Sequence, residues 1–160
     1  MAFLYWLEGI RIPVINELML AITYLGDEIA FLVVALCLIW CVDKKTGYYV
    51  LSVGFLGTIV NQFMKLWFRI PRPWVLDENF TILEQAREAA TGYSFPSGHT
   101  TSAVGTFGSV AVTAKHRITS VVSVLLAVLV GFSRMYIGVH TPVDVLVSAV
   151  LAIILILMTL

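Results

Sequence analysis

Val145-Leu146-Val147-Ser148-Ala149-Val150-Leu151-Ala152-Ile153-Ile154-Leu155-Ile156-Leu157-Met158-Thr159-Leu160 runs for 16 residues without a charge, and this stretch decides the fold class. A helix at the surface of a soluble protein needs a polar face, whereas one that is apolar all round is buried or lies in a membrane. Working back along the chain, other uncharged runs cover Ile29–Val42, Thr46–Met64 and Ile118–Ser133. The longest, Ala89–Ala114, contains Pro96 and His99, so its membrane part is expected to begin near Ser97. A spanning helix needs ~20 residues, with a tolerated range of about 17 to 25, and most of these runs reach it with their flanks. Singly, the shorter runs also suit buried helices of a soluble protein. Together they do not, because only 12% of the 160 residues are charged and 59% are hydrophobic, against about 25% charged in a soluble domain. Mean hydropathy is +0.94, and no polar surface is left to enclose five such helices.

The expected fold class is therefore all-α, a polytopic membrane helix bundle of five to six spans. The five are about 28 to 43, 46 to 65, 98 to 114, 118 to 135 and 142 to 160. A single domain over 1–160 is expected, with 28–160 as the bundle and 1–26 as an interfacial helix or an extra span. In that N-terminal part Ile10, Val14, Ile15, Leu18, Met19, Ile22 and Leu25 recur at helical spacing while Arg11, Asn16 and Glu17 interrupt. This pattern reads as an amphipathic helix in the headgroup region. Glu8 and the lack of a basic start argue against a cleavable signal peptide. Cys37 and Cys41, four apart in one apolar run, read as packing or lipid-facing residues and not as a disulfide. Ten Lys and Arg balance ten Asp and Glu, which excludes a nucleic-acid partner, since phosphate neutralisation requires a basic excess.

Lys44 and Lys45 join the first two expected spans, and Lys115, His116 and Arg117 join the third and fourth. The positive-inside rule places these loops in the cytoplasm. Parity then puts 65–97 and 134–141 together on the outer face, and these segments hold most of the remaining chemistry. Lys65 is followed after six residues by Arg72-Pro73; Pro96-Ser97-Gly98-His99 opens the third span; Ser133-Arg134 precedes His140 by five residues, and Asp144 follows after three more. Lys65, Arg72 and Arg134 can surround a phosphate dianion, Lys as a point charge and the guanidiniums as bidentate forks. Ser97 and Gly98 can add backbone N–H groups at a positive helix end, beside His99. If Thr141-Pro142 opens a helix, Asp144 can fold back to hold one nitrogen of His140 and leave the other as a nucleophile. Each residue alone also has a plainer role: Asp144 as a helix cap, Lys65 and Arg134 as snorkelling anchors. His116 is left to an ordinary structural role.

The conjunction of eleven identities at these spacings resembles the three signature motifs of the type 2 phosphatidic acid phosphatase family, K-x6-RP, PSGH and SR-x5-H-x3-D, over residues 28 to 160. That family shares its site with vanadium haloperoxidases. The resemblance implies His140 as nucleophile, Asp144 as its orienting partner and His99 as general acid, with Lys65, Arg72, Ser97, Gly98 and Arg134 binding phosphate oxygens. It implies no metal and no cofactor, and a membrane lipid phosphate as substrate. The expected reaction is hydrolysis of a lipid phosphate or diphosphate through a phosphohistidine at the extracytoplasmic face of a bacterial plasma membrane, undecaprenyl diphosphate being favoured. A lipid phosphotransferase using the same residues is the alternative, and a non-enzymatic anion or lipid transporter a weaker one. The two histidines need opposite protonation states, which predicts a bell-shaped pH profile.

Two further expectations concern architecture. Gly98, Ser102, Ala103, Gly105, Thr106, Gly108, Ser109 and Ala111 mark the third span as the closely packed centre of the bundle. Thr81 with Glu84 is a capping-box signal for a short helix, either an ordinary solvated loop helix or a flap with Trp74 and Phe80 dipping into the bilayer.

Overall fold

The computed structural model describes all 160 residues as eight α-helices without a strand. They are α1 (Ala2–Gly9), α2 (Pro13–Thr23), α3 (Glu28–Cys41), α4 (Lys44–Phe68), α5 (Pro73–Leu76), α6 (Gly98–Thr113), α7 (Arg117–Tyr136) and α8 (Pro142–Thr159). The five long apolar runs each become one helix, with bounds close to those expected. Polar caps set the starts. Asp43 accepts the N–H of Thr46 at 2.9 Å ahead of α4, Ser97 that of Thr100 at 3.3 Å ahead of α6, and Thr141 that of Asp144 at 3.2 Å ahead of α8. Each such cap is worth ~1 kcal/mol. α4 stops where Arg69 turns into the left-handed region, with φ of 50°.

α4, α7 and α8 are long and apolar enough to cross a membrane. α3, at 14 residues, and α6, at 16, fall short of a simple ~20-residue span, so the expected five to six spans are not all present as straight spanning helices. α3 continues α2 through a bend of 56°, and the two can make one broken crossing. The outer faces of the long helices carry exposed Trp40, Ile59, Phe63, Trp67, Val128 and Leu157. An apolar girdle of this kind belongs against lipid, not water.

α6 is the centre, touching α3, α4, α7 and α8. Its Ala103, Gly105, Thr106 and Ser109 are buried, as its small-residue composition anticipates. The tightest side-chain contact on a glycine lies elsewhere. A Cβ on Gly54 of α4 would stand 2.1 Å from the ring of Phe31 on α3, whereas one on Gly105 would meet Val53 at an ordinary 3.4 Å. Tyr49 on α4 ties the far end of the bundle by donating to the carbonyl of Ile156 on α8 at 2.8 Å.

Two N-terminal expectations change. The single amphipathic helix is broken at Ile10–Ile12, where Pro13 starts a new helix, because proline fits the first turn but not the interior. One side of each piece packs inward, while Ile10, Val14, Leu18 and Leu25 stay exposed. Leu4 and Leu7 of α1, with Met19 and Leu20 of α2, share one core with Phe80, Ile82, Tyr136, Ile137 and Val139.

The segment 77–97 is also not a free flap. Phe80 is buried in that core, and Trp74 lies against the guanidiniums of Arg72 and Arg87. The Thr81–Glu84 capping box does not form. Glu8 of α1 takes both the N–H and the hydroxyl of Thr81, Glu84 pairs with Arg87 at 2.6 Å, and only a single 3-10 turn, Glu84–Ala86, follows. A carboxylate 73 residues away thus replaces the local cap.

Gly54→Ala should lower thermal stability in detergent by ~1–3 kcal/mol, the usual cost of overpacking a tight contact, while Gly105→Ala should leave it nearly unchanged. Equal melting temperatures for the two variants would contradict the Phe31 contact.

Candidate active site

The ends of five helices meet on one side of the bundle: the C-termini of α4 and α7 and the N-termini of α3, α6 and α8. They enclose a cavity of about 350 Å³ in which Ala89 is the only hydrophobic wall residue. Lys65, Arg72, Gly98, His99, Arg134 and His140 all line it. Six of the eight residues singled out from the sequence thus share one wall. The other two, Ser97 and Asp144, stand directly behind it.

Asp144 is the hub. One of its oxygens, Oδ2, accepts the backbone N–H of Thr141 at 2.8 Å and the hydroxyl of Ser94 at 2.6 Å, and stands 3.5 Å from Nδ1 of His140. Thr141 caps the same turn in return, which makes a capping box. The helix cap and the histidine orienter are therefore the same carboxylate. Asp144 and His140 are only 2% and 1% exposed, so the arrangement is shielded from competing water.

The tautomer of His140 follows from its neighbours. Nη1 of Arg72 lies 3.2 Å from its Nε2. A guanidinium can only donate, so Nε2 is the unprotonated acceptor and Nδ1 carries the hydrogen towards Asp144 and Ser94. Burial, with the charges of Arg134 and Arg72 adding to it, pushes the imidazole well below its usual range, against the opposing pull of Asp144. The ring is held as neutral imidazole with Nε2 at the cavity, the form a nucleophile requires.

The cations are fixed in different ways. Arg72 is buried, with Nε, Nη1 and Nη2 donating to the carbonyls of Gly92, Val139 and Thr91 at 3.2, 3.2 and 2.7 Å. Arg134, 2% exposed, donates through Nη1 to the hydroxyl of Thr23 at 2.6 Å, and its Nε has no partner. Lys65 reaches the start of α6, with Nζ 3.9 Å from where a Cβ on Gly98 would stand. Ser97 is fully buried, and its hydroxyl caps α6 through Thr100.

Several wall residues were not singled out from the sequence. Asn61 donates to the hydroxyl of Thr101 at 3.0 Å; its place four residues before Lys65 puts it on the same helix face, a signal that was available. Asp27 and Glu28 also line the cavity, although in the sequence they read only as charges flanking a span. Gly26 lets this turn pass over His99, since a Cβ there would fall 2.7 Å from the His99 carbonyl oxygen. Ser94 carried no signal at all, because only the folded chain brings it to Asp144, 50 residues away.

Residues 45–160 match the PAP2 superfamily. The chain belongs to the PAP2 superfamily. Undecaprenyl-diphosphatase BcrC of Bacillus subtilis is 37% identical over 71% of this chain, and the match spans 55% of that protein's length. Among solved structures, LpxE of Aquifex aeolicus superposes with a TM-score of 0.85 at 26% identity, covering 99% of this chain and 92% of that one. A transmembrane PAP2-type phosphatidylglycerolphosphate phosphatase from Bacillus subtilis superposes with a TM-score of 0.82 at 27% identity, covering 99% and 81%. With its apolar girdle and spanning helices, this PAP2 chain is an integral membrane protein.

Removing the Ser94 hydroxyl leaves Asp144 with one hydrogen bond fewer and Nδ1 of His140 less tightly held. A hydrogen bond to a charged group is worth ~1.5–3 kcal/mol, so Ser94→Ala should slow phosphate release at least tenfold, by ~1.4 kcal/mol in the barrier. An unchanged rate would remove Ser94 from the hub.

Proposed function

We propose that this protein is a phosphatase that hydrolyses the phosphate or diphosphate of a membrane lipid without a metal ion, through a phosphohistidine on His140. The observation that carries this reading is the unprotonated Nε2 of a buried, neutral His140, at a cavity walled by Lys65, Arg72 and Arg134. A phosphate drawn to these cations takes over the Arg72 donor that rests on Nε2. The nitrogen lone pair then attacks phosphorus as the bond to the leaving oxygen breaks. His99, on the same wall, protonates that oxygen. Water attacks the phosphohistidine next, the N–P electron pair returns to Nε2, and His99 accepts the proton that water releases. The cations and the N–H groups at the start of α6 offset charge on the equatorial oxygens.

The apolar part of the substrate stays outside the cavity, whose wall is almost entirely polar, and lies in the bilayer against the exposed faces of the helices. Lys44, Lys45, Lys115 and Arg117 lie at the opposite end of the long helices from the cavity, which by the positive-inside rule supports an extracytoplasmic site, in this reading that of a bacterial plasma membrane. The chain acts as one domain over 1–160, with the bundle crossing five times, the first crossing being α3 with or without α2 ahead of it, and α1 seated at the outer headgroup level. Undecaprenyl diphosphate is the preferred candidate substrate, supported by the 37% identity to BcrC.

Purified protein in mixed micelles should release phosphate from undecaprenyl diphosphate faster than from phosphatidylglycerol phosphate or phosphatidate, in EDTA, and vanadate should block it. His140→Ala should abolish turnover. A strict Mg²⁺ requirement, or normal hydrolysis by His140→Ala, would overturn the mechanism, and preferential transfer to a lipid acceptor would make the protein a phosphotransferase.

The pH dependence has a definite sign. The nucleophile acts unprotonated, and its environment lowers its pKa from the usual ~6.5. Activity should therefore persist as pH falls through 6.5 and be lost only on a more acidic limb of kcat/KM. An acid limb centred at or above the ordinary imidazole value would contradict the neutral, buried His140.

A further inference from the structure

Arg11 is one of the cations for which the motifs have no use, and it is placed where the two outer segments touch. It lies in the break between α1 and α2. Its Nε donates to the carbonyl of Tyr136 at 3.0 Å, its Nη1 donates to the carbonyl of Thr81 at 2.8 Å, and its guanidinium stands over the Phe80 ring at 5.7 Å. Its Nη2 is buried without a partner, against the backbone of Gly138, where a Cβ would come within 2.8 Å of it.

The C-terminal carbonyls of α7 show what this contact does. A helix leaves its last four carbonyls without intrahelical partners. Here Ser133 is satisfied by the N–H of Ile137, Arg134 by those of Val139 and His140, and Met135 by that of Gly138. Each of these bonds shapes the short loop that carries His140. The fourth carbonyl, of Tyr136, is satisfied by Arg11, 125 residues away. Gly138 has φ of 89°, a backbone state that favours glycine, and Arg11 covers it from outside.

We propose that Arg11 is a positioning residue for His140. It locks the His140 loop to the 77–97 segment that supplies Ser94. This rests on the reading of His140 as nucleophile. Lysine cannot substitute, since one ammonium cannot reach two carbonyls in fixed directions while lying flat on Phe80. Arg11 touches no part of the phosphate cavity, so its loss should displace the attacking nitrogen without weakening phosphate binding.

The test compares Arg11→Lys and Arg11→Gln with the unaltered full-length chain in the same micelles. Both variants should lose kcat by roughly ten- to a hundredfold, the scale of a displacement near 1 Å at the reacting atom. KM should hold within about twofold, and the number of orthophosphate sites per chain at saturation should remain that of the unaltered protein. Full kcat in Arg11→Lys would overturn the proposal. So would a kcat loss matched by an equal loss of orthophosphate sites, which marks a fold that has failed and not a misplaced nucleophile. His140→Ala run in parallel separates the two readings. Activity there removes the nucleophile assignment, whereas an inactive His140→Ala beside a fully active Arg11→Lys removes only the role of Arg11.

Discussion

Everything at this site depends on the single oxygen Oδ2 of Asp144. It closes the first turn of α8 through Thr141, receives the hydroxyl of Ser94, and faces Nδ1 of His140. A carboxylate used for three contacts couples secondary structure to chemistry, because the helix start, the 77–97 segment and the His140 ring cannot move independently. Its burial strengthens that coupling, as hydrogen bonds to charge gain in a medium of low dielectric and cannot be replaced by water.

The cations pose the opposite problem. Lys65, Arg72 and Arg134 surround a cavity a few ångströms across, and like charges held away from water repel strongly. The fold contains this repulsion in three ways. Arg72 is wrapped by three backbone carbonyls, Arg134 is held by Thr23, and Asp27 and Glu28 bring negative charge to the same wall. In the proposed reaction a phosphate dianion completes the neutralisation, and the charge on its equatorial oxygens is met by groups already in place.

The N-terminal helices and the 77–97 segment form a layer over this site, built on a core of Leu4, Leu7, Phe80 and Tyr136. Tyr5 donates to Asp77 at 2.7 Å and Tyr136 to Asn16 at 2.9 Å, so the layer is tied down along its length. Leu4, Leu7, Met19 and Leu20 are thereby turned inward, while Ile10, Val14, Leu18 and Leu25 stay exposed. Periodicity identifies an apolar face but does not say what covers it, and here other protein covers one side of each helix.

Membrane character, the five long helices to within a few residues, and six of the residues that line the cavity (Lys65, Arg72, Gly98, His99, Arg134 and His140) are legible without a fold, because those features are written in local runs and in charges too costly to keep in a membrane without use. Asn61 was within reach of the same reasoning through its spacing from Lys65. The partners depend on tertiary packing: Ser94 on Asp144, Arg11 on Tyr136, Glu8 on Thr81 in place of a local cap, and the Phe31 ring against Gly54. The physical reason is the same in each case. A polar side chain in a sequence declares that it needs a partner, but which one it meets depends on which segments the packed helices bring within 3 Å of one another, and that is a property of the whole chain.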